Sequence, residues 1–508
     1  MNETEGIGGS QEPQREMRSE KKASHPLPLE AHKKFPKELG LIGKSEGIRS
    51  PEVISGPTSV SEVGISVLGT ERAALSETQK TAAARMDTYL ESMRDNAFFS
   101  GTVLVKQGDT VILRKGYGQA TAEVPNGPST VFQIGSVTKQ FTAAAIMKLV
   151  EKGKIDLHAP INNYLPDAYK PNKWNDVTVH QLLSHTSGIH EFGDREDYDI
   201  ACKDMTVEGE LQEARKKELD FRPGEEHRYS NTGYHLLGKI IHEVSGSSYR
   251  QFIEEEILAP ANMTSSGVID ESYKPSAQAA IGLTFNEQKT ALEEEKRSDF
   301  HLFYASGAIF STVDDLAKWS QVLDGGTLVL GDLSIERMKT PVLSGYGYGL
   351  RSGEEHGQRF VSHAGGVSGF VSEFSKYPDS DFLVVVLSNS SATNSSKIKK
   401  DLSQICIRPE EPIAAFLPFP PDFNYSQYTH AFRSENEEFQ DVEFTFSWDL
   451  EHHQLMCSFD FSPPEPCKLL SNGRVYFCGE EFRMQADGRI SCYDGTGNPE
   501  PFDILNRA

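Results

Sequence analysis

The longest uninterrupted apolar run in the chain is FLVVVL, Phe382–Leu387. A membrane helix needs about twenty apolar residues, whereas six in a row suit a buried β-strand. No other run is longer, so the sequence contains no membrane span, and a globular fold around a buried sheet is expected. The 508 residues, 37% hydrophobic and 25% charged, are enough for a substantial core and two to four domains. A net charge of −23 repels phosphate backbones and anionic membranes, so nucleic acid is not expected as a partner.

The patterning divides the chain. Residues 1–75 are rich in Glu, Lys, Ser, Gly and Pro and read as a disordered polar tail. The start, MNETEGIGGSQEPQREMRSEKK, has acids before its first basic residue and no apolar segment of a signal peptide, which favours a cytoplasmic location. Residues 76–407 form the main domain. A helical pattern begins near Glu77, and GTVLVKQGDTVILRKGYG reads as a β-hairpin turning at Gln107-Gly108-Asp109. RPEEPIAAFLPFPPDF, residues 408–423, is a proline-rich linker. Beyond it Phe444, Phe446 and Trp448 alternate, and Asn472-Gly473 and Asp487-Gly488 signal hairpins, so residues 424–508 are expected to form a small all-β domain. Six cysteines, Cys202, Cys406, Cys457, Cys467, Cys478 and Cys492, contain no C-x-x-C spacing and read as scattered thiols rather than a disulfide framework.

One stretch carries chemistry. In FQIGSVTKQFTAAAIMKLVEKG, Ser136 and Lys139 stand three apart where an apolar helical stripe begins, and Gly153 is a plausible stop. Lys139 can reach back over Ser136, and the positive end of the helix dipole favours negative charge developing there. A lysine acts as a base at pH 7 only if its pKa falls by about three units, which burial can supply. The alternative is a serine that merely caps the helix. S-x-x-K is also cheap: it recurs at Ser19/Lys22 and Ser396/Lys399.

Two further segments follow in order. FRPGEEHRYSNTGYHLLGKIIHEVSG contains Tyr229-Ser230-Asn231, and RFVSHAGGVSGFVSEF contains His363-Ala364-Gly365-Gly366. With S-x-x-K, and with the flanks QLLSHTSGI, ASGAIFSTVDDLAKW and GYGYGL, these resemble the three boxes of the serine β-lactamase/penicillin-binding-protein superfamily. The likeness is closest to class C β-lactamases and the related esterases and D-amino-acid peptidases, and covers roughly residues 80 to 405. It implies an α+β fold: an antiparallel sheet flanked by helices plus an all-helical lobe, with the site between them. It also implies a serine hydrolase that needs no cofactor. Ser136 would be acylated, and Lys139 or Tyr229 would take its proton, an assignment that stays open. Tyr229 would pass a proton to the leaving group, provided a cation such as Lys139 stabilises its phenolate. Asn231 would orient Lys139 and substrate, and the backbone N–H groups of Ser136 and Gly366 would form the oxyanion hole on an edge strand.

The third box departs from the β-lactamase pattern. His363-Ala364-Gly365 stands where those enzymes have K-T-G, replacing a fixed charge by a group titrating near 6.5. In the family this variant accompanies esterases and peptidases, so the expected substrate is an ester, amide or D-amino-acid peptide. The alternatives are a true β-lactamase or D,D-carboxypeptidase, a catalytically silent scaffold on the same fold, or a partner-binding role in the tail or C-terminal domain. His185 and His190 lack H-E-x-x-H context, so no zinc site is expected, and His185 reads as a structural hydrogen-bonding residue. There is no G-x-S-x-G elbow, which argues against an α/β-hydrolase.

Overall fold

A computed structural model describes residues 75–96, 99–191, 206–286, 291–295, 300–326, 329–410 and 413, then residues 416–417, 424–428 and strand segments between 431 and 507. Residues 1–74 of the expected tail, Cys202, Cys478, Ser19/Lys22 and the turns at Asn472-Gly473 and Asp487-Gly488 lie outside the described residues.

The apolar run forms the middle of a six-stranded antiparallel sheet. Its strands are β1 (Gly101–Gln107), β2 (Thr110–Tyr117), β3 (Arg351–Glu355), β4 (Gln358–Val367), β5 (Phe370–Tyr377) and β6 (Phe382–Ser388). Their order is β2-β1-β6-β5-β4-β3. Alternate residues of a strand point to opposite faces, and β6 feeds a separate core with each. Val384 and Val386 pack under the helices α1 (Glu77–Asp95) and α7 (Ser395–Ile407), with Met86, Leu90, Ile398 and Leu402. Leu383, Val385 and Leu387 join the larger core on the other face. That double burial is why the run contains no polar residue. Ser76 starts α1 through a capping box with Gln79, and β1 turns into β2 through Gly108-Asp109, as the sequence pattern indicates.

The larger core contains α2 (Thr138–Glu151). A one-sided apolar stripe was expected, but α2 is buried on nearly all sides, with residues from Thr138 to Met147 all enclosed. Two of its polar side chains find partners inside the core: Thr142 donates to the Ala305 carbonyl, and the Gln140 side-chain oxygen accepts from the Trp319 indole. The same core takes buried side chains from α3 (Val179–Leu183), α4 (Val207–Ala214), α5 (Asn231–Ser245) and α6 (Val313–Asp324). Gly153, at a φ of +67°, ends the first turn past α2.

The C-terminal residues form a second antiparallel sheet with its own core. Its strands are β7 (Phe416–Leu417), β8 (Ala431–Ser434), β9 (Glu443–Asp449), β10 (Gln454–Phe459), β11 (Glu465–Pro466), β12 (Lys468–Leu470), β13 (Val475–Phe477), β14 (Glu480–Met484), β15 (Ile490–Tyr493) and β16 (Asp503–Arg507). From β8 onward each pairs with the next in sequence, β11 and β12 being two halves of one bent strand, and β16 returns to pair with β8. The meander therefore closes on itself as a small barrel through the bent strand. Phe446, Leu455, Val475, Phe482 and Leu505 fill it. Cys457, Cys467 and Cys492 are buried in the same core. One boundary shifts: β7 pairs with β12, so Phe416–Leu417 of the proline-rich segment belongs to this sheet.

Candidate active site

Ser136 does not cap a helix. It sits in a tight 3₁₀ turn, Gly135–Val137, just before α2, and no side chain caps α2 at that end. Its hydroxyl instead lies 2.9 Å from Lys139 Nζ. Lys139 is fully buried, and its Nζ also contacts Asn231 Oδ1 at 2.8 Å and the Ser306 carbonyl at 2.9 Å. Ser306 lies at the end of the helical segment Phe300–Gly307, where last-turn carbonyls lack intrahelical partners and are free to accept. Among the described residues no carboxylate pairs with Lys139 directly, so burial dominates and brings its pKa down to about 7, with the charge of Glu191 pulling weakly the other way.

The second box sits at the start of α5. Its central residue, Ser230, is the cap: in extended conformation, it accepts from Gly233 N at 2.9 Å. Capping fixes the two flanking side chains. Asn231, the first helical residue, turns to Lys139, and the Tyr229 ring lies 4.7 Å from Lys139 Nζ. Burial dominates at the Tyr229 hydroxyl and raises its pKa far above the ordinary value, with the nearby Ser136 hydroxyl acting weakly the other way. The condition that a cation hold Tyr229 as phenolate is therefore not met, and the phenol keeps its proton. His185 is structural, as its context suggested: Nδ1 accepts from Ser230 N at 3.0 Å and holds this turn in place.

The third box lies on β4, an inner strand by sheet order, but β3 pairs only with residues 358–362. His363 to Gly366 thus run past the end of β3 as a local edge beside Ser136. Gly365 fills the gap with no room to spare: a Cβ there would lie 2.1 Å from the Ile134 carbonyl and 3.0 Å from Ser136 N. Gly366 faces open space, and its backbone nitrogen would be 2.7 Å from a Cβ placed on Gly135. The backbone N–H groups of Ser136 and Gly366 are thus brought close together.

His363 corrects the sequence expectation. It is buried, with Nδ1 2.5 Å from the Ala364 carbonyl and Nε2 2.8 Å from the Tyr346 hydroxyl. The carbonyl can only accept, so Nδ1 carries the hydrogen and Nε2 accepts from Tyr346. Burial, reinforced by the nearby Lys139, lowers its pKa to about 3 instead of leaving it near 6.5. His363 is a neutral brace of the strand and not a substrate-facing cation.

Three contributors carried no sequence signal. Glu191 is buried and accepts from Asn231 Nδ2 at 3.2 Å and Thr232 N at 3.0 Å. Behind it, Glu210 meets Thr232 and His235, whose other nitrogen reaches Ser306 Oγ. The exposed Arg351 guanidinium lies 5.6 Å from the Tyr346 ring, and its charge is felt at Tyr229, His227 and His363. By contrast, the look-alike Ser396/Lys399 on α7 faces carboxylates: Ser396 donates to Glu373, and Lys399 pairs with Glu355 at 3.0 Å.

A family model described as Beta-lactamase matches residues 81–406. Penicillin-binding protein 4* of Bacillus subtilis (strain 168) is 29% identical over 328 residues, 60% of this chain and 71% of that protein. Protein flp of Staphylococcus aureus (strain COL) is 29% identical over 334 residues, 63% of this chain and 65% of its own length. Among solved structures, the octameric penicillin-binding protein homologue from Pyrococcus abyssi aligns with a TM-score of 0.60 and 26% identity, covering 83% of this chain and 99% of that one.

Proposed function

Because the chain belongs to the Beta-lactamase family, we propose that it is a serine hydrolase whose acyl-enzyme forms on Ser136. The observation that carries this reading is the buried Lys139 amine, 2.9 Å from Ser136 Oγ and titrating at about 7. A lysine so tuned is half neutral at physiological pH, which general-base catalysis requires.

In this reading Lys139 takes the Ser136 proton as Oγ bonds to the substrate carbonyl carbon. The resulting oxyanion is held by the N–H groups of Ser136 and Gly366, donors of a kind that typically contribute about 3 kcal/mol. Tyr229, still protonated, gives its proton to the leaving group as the carbonyl–leaving-group bond breaks, and recovers one from Lys139. Water then attacks the acyl carbon and gives up a proton along the same route, so Ser136 departs with its hydrogen restored. Of the open pair, Lys139 is the base in this scheme, since burial lowers its pKa and raises that of Tyr229.

The substrate class is an ester, amide or D-amino-acid peptide. The neutral His363 does not supply the charge of a K-T-G lysine, which weighs against β-lactam hydrolysis. Arg351, an exposed cation facing the site, favours substrates with an anionic group near the scissile bond. The reading is tested by exposing the protein to a fluorophosphonate and to a panel of esters, D-peptides and β-lactams, with intact mass as readout. One adduct is expected, lost in Ser136→Ala; folded protein that forms no adduct with any acylating probe refutes the proposal.

A further inference from the structure

We propose that Glu191 is a positioning residue that fixes the amide of Asn231 and thereby aims the lone pair of Lys139 at Ser136. The inference rests on Ser136 and Lys139 being the reacting pair. A neutral amine has two N–H donors and one lone pair. Lys139 Nζ has three partners, of which the Ser306 carbonyl can only accept. If Asn231 also presents its oxygen, both N–H groups are engaged and the lone pair is left facing the Ser136 hydroxyl, the geometry a base needs. If the amide is reversed, its NH₂ occupies the lone pair and the amine has only a donor for Ser136.

An asparagine cannot choose between these orientations by shape, since its oxygen and nitrogen are nearly isosteric. Glu191 makes the choice. As a carboxylate it only accepts, so the Asn231 end facing it must be the NH₂. Its other oxygen is tied to Thr232 N, in the first turn of α5, where the helix dipole favours a negative charge. The charged and titratable groups around this unit come from every side. Lys139 meets Tyr229 and Tyr234, while His185 and His363 lie near it, both held neutral by burial. Arg351 acts on Tyr229 from the exposed side. Burial and the charge of Glu210 behind it raise the pKa of Glu191, while the Thr232 N–H and His235 favour its carboxylate form.

Glu191→Gln discriminates. The new amide would keep its oxygen on Thr232 N–H and turn its NH₂ toward Asn231, forcing the asparagine to reverse. Two effects then act on Lys139 in one direction: a negative neighbour is lost and an N–H donor faces the amine. Its titration, read from ¹³Cε chemical shifts of lysine-labelled protein with Lys139→Arg for assignment, should move down by about one pH unit. The plateau rate of Ser136 phosphonylation should fall about tenfold or more. General loosening of the site would let water in and move Lys139 upward, toward its ordinary value. A Lys139 titration that is unmoved or raised overturns the proposal. Should the variant not fold, neutron diffraction of the wild-type protein decides: deuterons on the Asn231 nitrogen facing Glu191 are expected, and a reversed amide is fatal. If wild type is never labelled at Ser136, the hydrolase reading fails, yet the titration and the neutron map still judge Glu191.

Discussion

Whether an ammonium loses its proton near neutrality depends on what surrounds it, and the two S-x-x-K pairs described in this chain make the comparison internally. Lys399 faces the Glu355 carboxylate, whereas Lys139 faces two neutral oxygens and a hydroxyl. Only the second arrangement removes charge by desolvation without restoring it by pairing. Activity should therefore rise with pH through about 7, because Lys139 is protonated and inert below that value. Lys139→Arg, always charged, should lower kcat/KM by two to four orders of magnitude, roughly the worth of a general base. His363 supplies a control on the same profile. Its pKa of about 3 leaves it neutral across the working range, so His363→Ala should lower the rate without moving the acid limb. An acid limb that disappears in that variant would assign it to the wrong residue. At this scale the sequence was informative where a motif has fixed local spacing, as for Ser136, Lys139 and the Tyr229-Ser230-Asn231 box. It was silent on Glu191, whose partners stand 40 and 41 residues away. The titration of His363 was misjudged because burial depends on neighbours brought in by folding.

Elements position these residues through backbone fit as much as through side chains. Gly365 and Gly366 are adjacent in sequence and chemically identical, yet a Cβ at the first would lie 2.1 Å from the Ile134 carbonyl while at the second it meets nothing within 4 Å. Gly365→Ala must push β4 away from the Ser136 turn, whereas Gly366→Ala leaves the backbone in place. Phosphonylation rates of the two variants should differ by at least about tenfold, since one alone shifts the oxyanion donors. Equal rates would mean that strand and turn are not in the close register described. Ser230 offers a second test of element placement: Ser230→Ala removes the α5 cap and should cost about 1 kcal/mol of stability. It should also lower activity, because the cap holds Tyr229 and Asn231 on either side of it. Helix α1, the β1–β2 hairpin and strand β6 were legible because each follows from local pattern and turn chemistry. The all-round burial of α2 was not. The partners of its buried Gln140 and Thr142, Trp319 and Ala305, stand far along the chain, where no local pattern points to them.

At the scale of the whole molecule, the described chain has cores that share no residue across residue 415. The two flanking the main sheet draw their buried side chains from Ala82 to Ile405, and the barrel draws its own from Tyr428 to Leu505. Alternating aromatics made the C-terminal sheet legible, but its closure required β16 to meet β8, a pairing across some seventy residues that no local pattern announces. Separate cores imply separate unfolding, so calorimetry should resolve two transitions, and a chain ending after Ile413 should keep the six-stranded sheet and Ser136 labelling intact. The position of the cut matters. Ile413 packs against the α1/α7 core, and the Pro409 carbonyl accepts from Arg85 of α1, so Pro409 and Ile413 lie beyond α7 yet are held to its core. Ending the chain at Ile407 would remove both contacts, and partial burial of one isoleucine is worth about 1 kcal/mol. The shorter truncation should therefore unfold at a lower temperature than the longer one while still labelling at Ser136. A single cooperative transition in the full chain, together with loss of labelling in both truncations, would show instead that the barrel is needed for the hydrolase domain to hold its site.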